Sequence, residues 1–180
     1  MSPLPDLDSL FAPWMDCLGR DATAYRHHVE RLLRLCALFS GGGLSGGKLP
    51  DPLAFQVAAV YHDLGIWSDG TFDYLAPSIR HAATWLEANG QGEKIALVSA
   101  MIEQHHKLRP AGATSDPVEI FRRADWTDVS LGAIRFGLPY ARYRALLREI
   151  PDAGFHWKLL ELSGRQLLTK PWKPLPMMRW

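Results

Sequence analysis

The chain has 180 residues, of which 47% are hydrophobic and 22% charged, and its formal net charge is +1. This composition is typical of a folded domain with a real hydrophobic core, and the near-neutral charge disfavours binding to a nucleic acid polymer. No apolar run approaches the ~20 residues of a membrane span, and the first residues lack the pattern of a secretory signal. Only two cysteines are present. We therefore expect one cytoplasmic domain over residues 1–180, without disulfides or membrane contact.

Apolar residues at helical spacing, with capping residues and prolines at helix starts, predict an all-α fold of about seven to eight helices. In chain order the predicted helices cover about residues 6–18, 21–39, 51–65, 76–90, 92–106, 116–129, 139–150 and 155–168. The last residues, 170–180, predict an extended tail rich in Pro and Trp. No stretch alternates apolar and polar residues as a strand would.

The second predicted helix carries two adjacent histidines on different faces. His28 shares its face with the apolar residues Leu32 and Leu35, whereas His27 falls on the polar face with Arg31. The periodicity therefore predicts that His28 points inward and that His27 lies at the surface.

The third predicted helix is mostly apolar and closes on His62 and Asp63, followed by Leu64 and Gly65. A buried imidazole beside a buried carboxylate costs several kcal/mol unless both have partners, and a metal ion is a partner for both. The question is therefore whether other helices supply further ligands.

Further metal-competent side chains follow on or near apolar helix faces. The inward-pointing, metal-competent set is His28, His62, Asp63, His81, His105 and Asp125. His106 is predicted to turn away from His105, although its role stays open, and Asp128 is expected to orient a ligand or pair with an arginine.

This order of ligands resembles the HD-domain superfamily of metal-dependent phosphohydrolases. The matching segments are His28-Val29-Glu30-Arg31, Tyr61-His62-Asp63-Leu64-Gly65, Arg80-His81-Ala82, Ile102-Glu103-Gln104-His105-His106 and Arg123-Ala124-Asp125-Trp126. The resemblance implies a single HD-type helical bundle with its metal-binding core at about residues 20–130 and its C-terminal helices and tail at 131–180.

The resemblance also implies the roles of the ligands. One metal would be bound by His28, His62, Asp63 and Asp125, and a second by His81 and His105 with Asp63 as the bridge. His and carboxylate ligands suit iron, manganese or another first-row divalent metal better than they suit structural zinc, which prefers sites rich in cysteine.

The implied activity is hydrolysis of a small phosphorylated substrate, such as a nucleotide, by a hydroxide activated at the dinuclear site. Many family members carry a cation shortly after the His-Asp pair, but Leu64-Gly65-Ile66-Trp67 supplies none. Lys107 and Arg109 directly follow the ligand helix and are the predicted phosphate contacts, with Asp63 as the third catalytic residue.

Two alternatives remain open from the sequence. The same ligand set occurs in mixed-valent di-iron oxygenases of the organophosphonate-cleaving and inositol-oxygenase type, in which case Tyr25 could contact or gate the substrate. The other alternative is a non-enzymatic HD scaffold that serves as a binding module.

Overall fold

The computed structural model describes residues 6–41, 47–169 and 172, and each regular element within them is a helix. The α-helices are α1 (Leu7–Phe11), α2 (Met15–Leu18), α3 (Ala22–Phe39), α4 (Pro52–Tyr61), α5 (Gly65–Ser68), α6 (Leu75–Ala88), α7 (Ile95–Gln104), α8 (Pro117–Val129), α9 (Tyr140–Glu149) and α10 (Phe155–Thr169). Seven of these described helices have ten residues or more. The all-α prediction is confirmed.

Local capping chemistry sets two of the helix starts as predicted. The Asp51 carboxylate accepts a hydrogen bond from the Ala54 N–H at the start of α4, and Asp116 accepts one from Val118 at the start of α8. In each case a proline follows the cap. Asp21 does not cap α3, because its carboxylate instead accepts a hydrogen bond from the indole of Trp67.

Helix α4 lies at the centre of the bundle, with α3, α6 and α7 packed around it. Seven of its residues are buried: Ala54, Phe55, Val57, Ala58, Ala59, Val60 and Tyr61. A helix that is apolar on all sides needs neighbours on all sides. Its C-terminal end therefore places the next residues, His62 and Asp63, inside the core.

The turn after α4 depends on a glycine. A Cβ atom at Gly65 would lie 2.7 Å from the Tyr74 carbonyl oxygen, a separation that real side chains do not tolerate. The Gly65 N–H donates to the Ser78 hydroxyl, which is on α6. The close approach therefore fixes how α6 packs beside the His62-Asp63 turn.

The C-terminal helices pack against α3 through two buried contacts. The Phe155 ring of α10 stacks on the His28 ring with 4.0 Å between centroids. Arg31 is completely buried, although it lies on the polar face of the predicted helix. The guanidinium pairs with Asp128 and donates to the Pro151 carbonyl, which compensates its burial.

Of the predicted tail, only Trp172 lies among the described residues. Across residues 6–41 and 47–169, no helix has the combination of length and apolar character needed to cross a bilayer.

Candidate metal centre

Six side chains from four helices or the turns after them meet inside the bundle. They are His28 of α3, His62 and Asp63 after α4, His105 and His106 after α7, and Asp125 of α8. They form three overlapping groups in which one atom per residue lies within 4.8 Å of the others: His28–His62–Asp125, His62–Asp63–His105 and His105–His106–Asp125. Five of the six predicted ligands are therefore brought together.

The His28 and His62 rings face each other through their Nε2 atoms, which are 3.1 Å apart. Nδ1 of His62 lies 2.8 Å from the Ala59 carbonyl, which can only accept, so this nitrogen carries the hydrogen. Nδ1 of His28 likewise donates to the Asp128 carboxylate at 2.8 Å. In their neutral forms both rings thus present lone pairs at Nε2.

The His105 ring is oriented like those of His28 and His62, with Nδ1 donating and Nε2 facing the cluster. Its Nδ1 donates to the Ile102 carbonyl at 2.6 Å, and its Nε2, which has no hydrogen-bond partner, lies 3.5 Å from Oδ1 of Asp63. Fixing one ring nitrogen by a backbone carbonyl is a common way to direct the other toward a metal.

Each of the two carboxylates reaches both sides of the cluster. Oδ2 of Asp63 lies 3.3 Å from Nε2 of His62, while Oδ1 faces His105. Oδ1 of Asp125 lies 3.5 Å from Nε2 of His28, while Oδ2 lies 3.7 Å from Nδ1 of His106. Asp125 could therefore bridge two ions as readily as Asp63, the residue to which the resemblance assigns that role.

The side chains fit a metal ion. Oδ1 of Asp63, both carboxylate oxygens of Asp125 and Nε2 of His105 are buried without a hydrogen-bond partner, and leaving such atoms unsatisfied is costly. Two ligands that are each ~2.1 Å from one ion lie roughly 3.0–3.5 Å apart, close to the separations measured between these atoms. The nitrogen and oxygen ligands, without cysteine, could hold a first-row divalent metal.

The pKa values of the two carboxyl groups are shifted in opposite directions. Burial raises the pKa of the Asp63 carboxyl, but His62 and His105 outweigh this effect and hold the pKa well below its usual range. Burial, with the nearby Asp63 and Asp128 carboxylates, raises the pKa of Asp125 to about 8. Burial also lowers the pKa of His28 to about 4, which favours the neutral imidazole that metals bind.

His81 is the predicted ligand that the structure does not bring to the cluster, and it belongs to none of the three groups. Its Nε2 lies 2.8 Å from a carboxylate oxygen of Asp69, and its ring packs edge-on against Trp14. Asp69 also accepts a hydrogen bond from Arg80. These partners satisfy His81 at the surface side of α6, where its side chain is 25% exposed.

His106 takes part instead. Helix α7 ends at Gln104, two residues earlier than the predicted end, and His105 keeps helical backbone angles as its cap. His106 lies in the turn that follows, and both rings face the cluster. Nε2 of His106 shares a 2.6 Å hydrogen bond with the Tyr74 hydroxyl. When that nitrogen is the donor, Nδ1 offers a lone pair toward Asp125.

Two residues outside the cluster, Asp128 and Tyr25, make hydrogen bonds that orient the ligands. Asp128 accepts hydrogen bonds from His28 and from two nitrogens of Arg31, so it both orients a ligand and pairs with an arginine, as predicted. The Tyr25 hydroxyl donates to the Val60 carbonyl and accepts from the Asp63 N–H. Both contacts of Tyr25 therefore position the ligand turn rather than a substrate.

The predicted phosphate contacts lie in the loop directly after His106. The Lys107 side chain is half-buried and Arg109 is exposed. The Lys107 carbonyl accepts hydrogen bonds from Arg122 and Trp126 of α8, which tie the loop to the helix that carries Asp125. Among the described residues, neither the Lys107 nor the Arg109 side chain makes an ion pair.

The cluster lies below the surface. The side chains of His28, His62 and His105 have no exposed area, and His106, with 13% exposed, is the most accessible of the six ligands. His106 is therefore the ligand nearest to solvent.

A scan against protein-family models, a search of curated proteins and a search of solved structures each found no match to this chain.

Proposed function

We propose that this protein is a metal-dependent phosphohydrolase that acts on a small phosphorylated metabolite such as a nucleotide, with two divalent ions of iron or manganese. The observation that carries the proposal is the convergence of four histidines and two aspartates whose lone pairs point at one another inside the core. The resemblance of the ligand order to the HD-domain superfamily supports the same reaction class.

The cluster divides naturally into two halves. His28 and His62 would hold one ion, His105 and His106 the other, and the two carboxylates, Asp63 and Asp125, would each contribute an oxygen to both halves. When bound, such a pair of ions acidifies water and neutralises phosphoryl oxygens.

The remaining steps are assigned to side chains of the chain itself. The Asp63 carboxylate, kept ionised by His62 and His105, would accept a hydrogen bond from the nucleophilic water. Lys107 and Arg109, next to the most exposed ligand, would bind the phosphoryl group and offset its charge. Burial of the cluster would keep other water away from the reaction.

A second candidate, a mixed-valent di-iron oxygenase, is favoured by the ion pairing of three arginines that would otherwise be candidate phosphate contacts. Arg31 is bound to Asp128, Arg80 to Asp69 and Arg122 to Glu119. Since these cations are already neutralised, Lys107 and Arg109 are the remaining phosphate contacts that we propose. A site with few free cations suits a phosphonate or a polyol better than a polyphosphate.

The deciding experiment is metal analysis of protein purified without oxygen, followed by activity assays on a panel of phosphate monoesters and diesters. Turnover with manganese in the absence of oxygen supports the hydrolase. Turnover that requires oxygen, together with the electron paramagnetic resonance signal of a mixed-valent iron pair, establishes the oxygenase instead.

Variants make the test specific to the site. Lys107→Ala and Arg109→Ala are expected to raise KM for a phosphate ester, while the exposed Arg148→Ala on α9 removes the same charge away from the cluster and serves as the control. Full activity in His62→Ala would refute the proposal that this cluster carries the reaction.

A further inference from the structure

A cavity of ≈380 Å³ opens on the surface between the C-terminal end of α3, helix α8 and the segment leading into α9. Its lining residues are Leu38, Phe39, Gly41, Arg123, Phe136, Gly137, Leu138, Pro139 and Arg142. None of them belongs to the metal cluster. The volume falls in the range of ~300–1,000 Å³ that is typical of small-molecule sites.

The charge of the cavity has one sign. Arg123 and Arg142 line it, and no acidic side chain does. Among the residues that the structure describes, no ion pair neutralises either arginine. Two unneutralised guanidinium groups at one concave surface attract an anion.

Arg123 is held in a fixed orientation. Its guanidinium carbon lies 4.5 Å from the centre of the Phe39 ring and 5.3 Å from that of Phe136, and one nitrogen donates to the Phe136 carbonyl at 2.8 Å. Stacking against aromatic rings orients a guanidinium without using its remaining N–H groups. The other donors of Arg123 stay available to a ligand.

The rest of the lining is apolar. Leu38, Leu138 and Pro139 join the two phenylalanine rings around the arginines. An inorganic ion would gain nothing from these walls, whereas a molecule with a flat hydrocarbon part would bury it there while its acidic group met the guanidinium groups.

We propose that this cavity binds a small organic anion that combines an aromatic or other flat apolar body with one carboxylate, sulfonate or phosphate group. The site is separate from the metal cluster and does not depend on the function proposed for that cluster.

The test uses 8-anilinonaphthalene-1-sulfonate, an aromatic sulfonate whose fluorescence rises in apolar surroundings, titrated into the full-length chain. We expect saturable binding that benzoate displaces and that inorganic phosphate at the same concentration does not. Arg142→Glu is expected to weaken the binding by at least about tenfold, because it replaces an attraction with a repulsion. Arg142→Gln, which removes the positive charge without replacing it by a negative one, is expected to weaken it less.

Arg148→Glu is the matched control, since it makes the same change of charge on the same helix outside the cavity. Its affinity for the dye should stay within about twofold of the parent chain. Equal affinity in Arg142→Glu, Arg148→Glu and the parent would overturn the proposal, as the dye would then be binding elsewhere. Displacement by inorganic phosphate as effective as that by benzoate would overturn the assigned ligand class.

Discussion

The Nε2 atoms of His28 and His62 face each other at 3.1 Å, while the other nitrogen of each ring donates to a fixed acceptor. Two lone pairs at this distance repel unless a cation or a proton lies between them. The low pKa of His28, about 4, argues against a proton at neutral pH. The pair could therefore hold a cation.

Replacing His28 should remove bound metal, and the adjacent His27 provides a matched control. We expect His28→Ala to lose most of the metal that co-purifies with the chain, because it removes a ligand from the buried cluster. His27→Ala should keep it, since that ring lies outside the cluster and contacts the Pro151 carbonyl. Elemental analysis per mole of protein measures both, and full metal content in His28→Ala would contradict the site.

A comparison of His106 and His81 tests which histidine completes the cluster. We expect His106→Ala to lower the metal content, because its Nδ1 lies 3.7 Å from Asp125. His81→Ala should leave the metal content unchanged, because that side chain pairs with Asp69. Loss of metal in His81→Ala alone would restore the ligand set expected from the sequence.

Asp128→Asn should destabilise the fold and weaken metal binding together. The change leaves the buried Arg31 without its nearest charge partner and His28 without its carboxylate acceptor. We expect a loss of about 3–5 kcal/mol in the free energy of unfolding by urea, and roughly a 10–100-fold loss of metal affinity. Asp152→Asn is the control, since its carboxylate lies 3.9 Å from Arg31 and is partly exposed; equal losses in both variants would disprove a special role for Asp128.

Gly65→Ala is expected to destabilise the chain by about 1–3 kcal/mol, because its Cβ would lie 2.7 Å from the Tyr74 carbonyl oxygen. The same change at Gly164 of α10, where a Cβ meets nothing within 4 Å, should be neutral or stabilising by up to ~1 kcal/mol. Thermal unfolding of the two variants compares them directly. An unchanged unfolding midpoint in Gly65→Ala would contradict this prediction, because it would show that the Tyr74 carbonyl and α6 can shift away from the new Cβ without loss of stability.

Stability at low pH should depend on Glu119. Burial raises the pKa of its carboxyl, but hydrogen bonds from Arg122 and the Ala111 N–H outweigh burial and lower the pKa below the ordinary value of 4.5. The stabilisation is therefore complete above about pH 4.5 and is lost as the pH falls through the lowered value.

Urea unfolding between pH 3 and pH 7 measures this contribution. Glu119→Gln should lower stability at neutral pH and reduce the further loss on acidification, because its side chain no longer titrates. Glu93→Gln, at an exposed position, is the control and should follow the parent chain. Parallel pH profiles for the parent and Glu119→Gln would count against the assigned role of the pair.

Much of the helical architecture follows from interactions between residues near in sequence. Asp51 with Pro52 and Asp116 with Pro117 begin helices where the capping pattern predicted them. Periodicity alone indicated that His28 points inward, because a helix with one apolar face buries that face. The inward positions of His105 and Asp125 followed in the same way, and those of His62 and Asp63 followed from their place at the end of a mostly apolar helix.

The sequence by itself thus determined an all-α chain with metal-competent side chains on its buried faces, since helix formation and amphipathicity are local properties. Only the tertiary structure decided that His106 joins the cluster while His81 pairs with Asp69, and that Arg31 is buried against Asp128. These outcomes depend on where a helix ends and on partners distant in sequence. A pattern of 3.6 residues per turn carries no information about either.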